Sequence, residues 1–250
     1  MNISSWNFAS FDGVNLKIHE IGEGKPVILL HGLFSNADTN WIKFGQAKLL
    51  ANAGFRVIMP DLRAHGASEA PHDGSAYPDD VLVQDIFALI EYLGLEDYDL
   101  GGFSLGARTA VKLLTSGAKP RKAILAGMGL EGLSGWQRRQ DFFLKAIELR
   151  DTAKRGDPHW LAIQFMKSQK IDTIAATHLL RSFSDLSISE LSKIRTEVLV
   201  LCGAEDRDNG SPEKLASALQ NGYFTEVPGT HMSSVTKPEL GEEMVKFLSN

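Results

Sequence analysis

The stretch LGGFSLGAR, residues 100–108, decides the fold because a serine stands between glycines at the end of an apolar run. The apolar residues before it are typical of a buried strand, and the residues after it are typical of an amphipathic helix. A GxSxG pattern between strand and helix, a nucleophile elbow, strains the serine backbone and exposes its hydroxyl. Side chains at Gly102 and Gly106 are expected to collide with each other across the bend. The stretch therefore predicts that Ser104 is a presented nucleophile.

Short apolar runs alternate with helix-like segments along the rest of the chain, which favours a parallel sheet with crossover helices. We predict an opening antiparallel hairpin from Trp6–Phe8 and Val14–His19, then strands at 26–30, 55–60, 98–103, 122–127, 196–202 and 223–227. Continuous apolar strands of this kind are expected to be covered on both faces. Helices are predicted near 40–53, 79–93, 105–117, 212–220 and 235–248, with Ser211 capping the fourth. The predicted fold class is α/β, a mostly parallel central sheet flanked by helices.

One interval, residues 130–195, has helical composition and no strand-like run. It is longer than a single crossover between two strands. We interpret it as a small helical cap or lid inserted into a core formed by residues 1–129 and 196–250. The alternative is extra helical packing with no role in substrate binding.

Composition argues against several classes of function. The net charge of −5 over 250 residues is not that of a nucleic-acid-binding protein or a basic membrane-binding face. No stretch approaches the roughly 18 to 20 apolar residues of a membrane-spanning helix, and the N-terminus has no signal-peptide pattern. The single cysteine, Cys202, ends an apolar run and is expected to be a buried strand residue. A chain without an internal disulfide is expected to be cytoplasmic.

Five short motifs follow one another in an informative order: HGLF at 31–34, DLRAHGAS at 61–68, GFSLG at 102–106, GAED at 203–206 and GTH at 229–231. On these motifs the chain resembles the α/β-hydrolase fold family over nearly its whole length, as a serine-carboxylesterase-like member. In that family the nucleophile, the acid and the histidine occur in this order. The resemblance implies Ser104 as nucleophile, His231 as general base and Asp206 as the acid that orients it.

Other residues compete for the roles of acid and base. Glu205 and Asp208 neighbour Asp206, and Glu131 matches an alternative acid position used by some relatives. His31 resembles the structural histidine of its loop. The remaining histidines are less well placed for a base: His19, His65, His72, His159 and His178.

The resemblance also implies an oxyanion hole. Its donors would be the backbone N–H groups of Leu105 and Leu33, with Phe34 as the substitute for Leu33. Apolar residues expected at the substrate pocket are Phe34, Phe103 and, from the insertion, Trp136.

The predicted function is hydrolysis of small-molecule carboxylic esters of small to medium acyl chain, through an acyl-enzyme. No HExxH, no Cys–His pair at ligand spacing and no GxGxxG occurs, so neither a metal nor a cofactor is expected. Alternatives on the same fold are a C–C bond hydrolase, a lactonase, a thioesterase, a haloperoxidase-like enzyme or a ligand-binding receptor. The serine argues against the dehalogenase and epoxide hydrolase relatives, which use an aspartate. Oligomeric state is left open.

Overall fold

An eight-stranded sheet forms the centre of the computed structural model, which describes residues 2–250. Its strands are β1 (Ser4–Ala9), β2 (Asn15–Ile21), β3 (Lys25–Leu30), β4 (Phe55–Pro60), β5 (Asp99–Phe103), β6 (Lys122–Ala126), β7 (Glu197–Gly203) and β8 (Gly222–Val227). They are arranged in the order β1-β2-β4-β3-β5-β6-β7-β8. Strand β2 pairs antiparallel with β1 and β4, and every other neighbouring pair is parallel. The predicted class, the opening hairpin and the six later strands are confirmed.

The α-helices flank this sheet. They are α1 (Gln46–Asn52), α2 (Val81–Tyr92), α3 (Leu105–Thr115), α4 (Trp136–Glu148), α5 (Trp160–Ser168), α6 (Thr173–Arg181), α7 (Pro212–Ala218) and α8 (Pro238–Ser249). The predicted cap of α7 is confirmed, since Ser211 accepts a hydrogen bond from the backbone N–H of Lys214. Within residues 2–250, no helix is both long enough and apolar enough to cross a bilayer.

Two helix predictions were wrong at their boundaries. The single helix expected near 40–53 is divided into a short π-helical segment, Asp38–Ile42, and α1. Gly45 separates them because its φ of 90° is not helical. The last helix begins at Pro238 rather than near 235, since proline fits the first turn of a helix better than its interior.

Apolar side chains cover both faces of the sheet, and β7 shows the alternation. Val198 and Val200 pack in the cluster that contains residues of α2 and α3. Leu199 and Leu201 pack on the opposite face with residues of α1 and α8. Cys202 is buried as predicted, and this burial raises the pKa of its thiol to about 12. Strand β8 departs from the expected double coverage because it lies at the edge, where Tyr223 is 53% exposed.

The 130–195 segment contains helices and no strand. Short 3-10 turns, Leu130–Leu133 and Ile188–Lys193, precede and follow α4, α5 and α6. Trp136 and Ile163 belong to a small apolar cluster formed by this segment and Phe34. Leu179 and Leu191, however, are buried in the cluster that contains Val198 and Val200, which we call the main cluster. Part of the segment therefore packs in the main cluster, together with side chains of the sheet.

Candidate active site

Ser104 lies at the sharp turn between β5 and α3, where its φ is 53° and its ψ is −110°. A positive φ of this kind costs a non-glycine residue about 1 to 3 kcal/mol. A Cβ on Gly102 would lie 2.2 Å from the carbonyl carbon of Gly106, which supports the expected clash across the bend. A Cβ on Gly106 would instead lie 2.1 Å from the carbonyl oxygen of Leu30. The expectation was therefore wrong for Gly106, whose close neighbour is strand β3.

His231 and Asp206 meet Ser104 at the carboxyl ends of the strands. His231 follows β8, and its Nε2 lies 3.1 Å from Ser104 Oγ. Asp206 follows β7, and its Oδ2 lies 2.8 Å from Nδ1 of His231. The Asp206 side chain is 2% exposed. A buried carboxylate beside Nδ1 favours the tautomer that leaves Nε2 free to accept the serine proton.

The competing acids are placed differently. The Glu131 carboxylate accepts a hydrogen bond from the backbone N–H of Ser211 at 2.8 Å, and its side chain is 55% exposed. Glu205 is exposed. Asp208 lies near His231 and Asp206, with side-chain atoms of the three within 4.8 Å of one another. This spacing resembles that of metal ligands, but both ring nitrogens of His231 are already engaged by Asp206 and Ser104.

The loop that follows β3 is held by two buried histidines. The backbone N–H of Leu62 donates to Nε2 of His31, and that of Phe34 donates to Nε2 of His65, both at 2.9 Å. Burial lowers the pKa of both imidazoles, to about 3 for His65. Both rings are therefore neutral acceptors at neutral pH. The role of His65 was missed, although its position in DLRAHGAS was the available signal.

Two backbone N–H groups belong to residues that line the cavity beside Ser104. The N–H groups of Leu33 and Leu105 have no hydrogen-bond partner among residues 2–250, and both residues line the same cavity as Ser104. Unpaired N–H groups at the start of a helix and in an adjoining loop can stabilise an oxyanion. Phe34 as a substitute donor was wrong, because its N–H is occupied by His65.

A cavity of about 530 Å³ adjoins Ser104 and His231. Phe34 and Trp136 line it, together with other apolar side chains of the 130–195 segment: Phe142, Phe143, Leu161, Ala162 and Phe165. Phe103 does not line it. The centre of its ring lies 5.0 Å from that of the His231 ring, and Phe103 lines a smaller cleft of about 50 Å³ that Ser104 and His231 also border. Arg108 and Arg139 also line the large cavity and were missed, since the sequence does not reveal which helix faces point inward.

Comparison with known proteins gives a consistent result. A family model described as the alpha/beta hydrolase fold matches residues 25–162. The chain is 30% identical over 233 residues to the AB hydrolase superfamily protein YisY of Bacillus subtilis, covering 84% of each chain. An esterase from Exiguobacterium antarcticum matches with a TM-score of 0.80 at 21% identity, over 99% of this chain and 100% of that one. A bromoperoxidase from Bacillus anthracis matches with a TM-score of 0.74, 21% identity and the same coverage.

Proposed function

Since the chain belongs to the α/β-hydrolase fold family, we propose that it is a serine hydrolase. It cleaves carboxylic esters of small to medium acyl chain through an acyl-enzyme. The observation that carries this proposal is the 3.1 Å contact between Ser104 Oγ and His231 Nε2 at the wall of the cavity. A nucleophile and base at hydrogen-bond distance, with the base held by a carboxylate, is the arrangement that acyl transfer needs.

In the first half of the reaction, Ser104 Oγ attacks the carbonyl carbon of the ester while His231 Nε2 takes the hydroxyl proton. The carbonyl oxygen becomes an oxyanion and accepts hydrogen bonds from the N–H groups of Leu33 and Leu105. Loss of one such donor in other enzymes slows the reaction about 100- to 1,000-fold. The ester C–O bond then breaks, and the alcohol leaves with the proton that His231 returns.

In the second half, a water molecule gives its proton to His231 Nε2 and its oxygen attacks the acyl carbon. The bond to Ser104 Oγ breaks, the proton returns to the serine, and the free acid leaves. Asp206 stabilises the imidazolium that forms in both halves and keeps the ring oriented, without itself taking the proton. All steps use groups of this chain and water alone.

We propose that residues 130–195 act as a cap that shapes the acyl site. Trp136, Phe143 and Phe165 supply apolar wall to the cavity, which suits an uncharged acyl chain. Arg108 of α3 supports the cap from the core side, since its guanidinium donates to the carbonyl oxygens of Gly132 and Leu133 at 3.0 and 2.7 Å.

The test is steady-state hydrolysis of short para-nitrophenyl esters by the wild type and by Ser104→Ala. We expect the substitution to lower kcat by about 1,000-fold or more. Ser116→Ala is the matched control, because Ser116 is exposed at the end of α3 and is expected to leave turnover unchanged. A fluorophosphonate should label Ser104 in the wild type and in Ser116→Ala, and it should not label Ser104→Ala.

Two outcomes would contradict the proposal. Turnover that persists in Ser104→Ala would assign the chemistry to another group. Saturable ester binding with no turnover in the wild type would instead indicate a ligand-binding receptor. A parallel panel of lactones and thioesters separates ester hydrolysis from the other reactions that the same serine and histidine support.

A further inference from the structure

The wall of the cavity beside Ser104 includes the guanidinium groups of Arg108 and Arg139. One acidic residue, Asp208, lines the same cavity, and the Asp185 carboxylate lies 3.7 Å from the Arg108 guanidinium. Guanidinium groups in an otherwise apolar wall are costly unless they are bonded to something.

The guanidinium of Arg108 has hydrogen-bond partners within the fold. Its Nη1 donates to the carbonyl oxygens of Gly132 and Leu133, and its Nη2 donates to that of Ser184 at 2.7 Å. Its guanidinium carbon also lies 5.2 Å from the centre of the Trp136 ring. These contacts tie α3 to both ends of the cap, and they leave Arg108 a structural role.

Arg139, on the first turns of α4, is different. Its Nη1 donates to two neutral acceptors, the backbone carbonyl of Asp208 at 3.3 Å and the side-chain oxygen of Asn209. Among residues 2–250, no carboxylate lies within 4.0 Å of its guanidinium, and its Nη2 and Nε have no hydrogen-bond partner. Burial lowers the pKa of this guanidinium, but an arginine stays charged at neutral pH.

The nearest negative charges do not neutralise Arg139 by direct contact. Asp208 and Asp206 attract it from beyond ion-pair distance. The side chains of both lie beside His231, within the 4.8 Å cluster described above. The unpaired N–H groups of Arg139 are therefore available to a group that enters the cavity.

We propose that Arg139 binds a carboxylate of the substrate, so that the preferred substrate is an ester that also carries a carboxylate group. The Nη2 and Nε of Arg139 match the two oxygens of a carboxylate, which favours a bidentate contact. Phe142 and Phe143 belong to the same wall as Arg139 and would contact the carbon chain that joins the two groups. This inference rests on the proposed ester hydrolysis and names its substrate class.

The test compares charged and neutral esters of equal acyl length, para-nitrophenyl hemiglutarate and para-nitrophenyl valerate. Meta-acetoxybenzoate and phenyl acetate form a second pair, which places the carboxylate on the alcohol side. We expect Arg139→Gln to lower kcat/KM about 10- to 100-fold for the charged ester of at least one pair. The neutral esters should stay within about twofold, and Arg139→Lys should restore part of the loss. The charged-ester preference should decrease as salt is added.

Arg138→Gln is the matched control, because Arg138 is the exposed neighbour on α4 and does not line the cavity. It is expected to leave both members of each pair unchanged. Equal loss on charged and neutral esters in Arg139→Gln would make Arg139 a structural residue and overturn the inference. An unchanged kcat/KM for the charged esters in Arg139→Gln would also overturn the inference. In either case, turnover of neutral esters that depends on Ser104 would still support the proposed function.

Discussion

At the scale of single residues, Gly102 has no room for a side chain. We expect Gly102→Ala to lower the free energy of unfolding by about 1 to 3 kcal/mol, because its methyl group would overlap the backbone of Gly106. Relief of this overlap requires movement of the turn that holds Ser104, so ester turnover should fall with stability. Urea unfolding and para-nitrophenyl ester hydrolysis measure the two effects.

Gly94→Ala provides the comparison for Gly102→Ala. Gly94 has a φ of +58°, and a Cβ there would meet nothing within 4 Å. Only the backbone cost of a left-handed residue remains, about 1 to 2 kcal/mol, and turnover should be unchanged. Full activity in Gly102→Ala would show that the close approach is not needed for the site.

His65 makes the stability of the fold depend on pH. Burial lowers its pKa from 6.5 to about 3, so between these values the unfolded chain binds a proton that the folded chain does not. Stability is therefore fully present above about pH 6.5 and falls as the pH drops towards 3. The expected slope is up to about 1.4 kcal/mol per pH unit for this one group. Urea unfolding at a series of pH values measures it.

His65→Gln tests the assignment, since an amide oxygen can still accept the hydrogen bond of the Phe34 N–H but does not titrate. In this variant, the dependence of the free energy of unfolding on pH should decrease by up to about 1.4 kcal/mol per pH unit, the contribution of one titrating group. The slope that remains should include His31, whose pKa is lowered in the same direction by burial. An unchanged slope in His65→Gln would show that His65 does not cause the acid sensitivity.

At the scale of elements, Arg108 joins α3 to the 130–195 segment by hydrogen bonds to carbonyl groups before α4 and after α6. We expect Arg108→Leu to leave these carbonyls unpaired and to speed amide hydrogen exchange in the turns around residues 133 and 184. Its KM for neutral esters should rise because the cavity wall loosens. Hydrogen exchange detected by mass spectrometry measures the first effect, with Arg138→Leu as control. Equal exchange in both variants would contradict this role.

Most elements could be predicted from the sequence, and the exceptions have physical reasons. FRVIMP was predicted with the bounds that β4 has, because a buried strand leaves an uninterrupted apolar run. The division near Gly45 was not predicted, because glycine is compatible with both a helix and a break. Ser104, His231 and Asp206 could be grouped because the resemblance to the α/β-hydrolase fold family implied it, and each of them follows a parallel strand. Arg139 could not be placed, since its direction depends on how α4 packs.

At the scale of the whole molecule, the 130–195 segment contributes buried side chains to the apolar cluster on one face of the sheet. We expect Leu179→Ala to lower the free energy of unfolding of the entire chain by about 2 to 5 kcal/mol, since Leu179 is 1% exposed within the main cluster. A single unfolding transition should move as a unit. Circular dichroism in the far and near ultraviolet, followed over a urea titration, measures this.

Leu161→Ala is the matched control in the same segment. Leu161 is 75% exposed, so its truncation should change stability by less than about 0.5 kcal/mol. If residues 130–195 unfolded separately, the urea titration would show two transitions. Leu179→Ala would then shift only the transition at the lower urea concentration, and this result would contradict the prediction.

The left-handed backbone at Ser104 has a consequence for any attempt to engineer heat tolerance. Glycine adopts that conformation without the steric cost that serine bears, so Ser104→Gly should melt at a higher temperature while hydrolysing nothing. A library screened by survival after heating would then enrich inert clones at this codon. Thermal selection of this protein therefore has to be coupled to a readout of product formation.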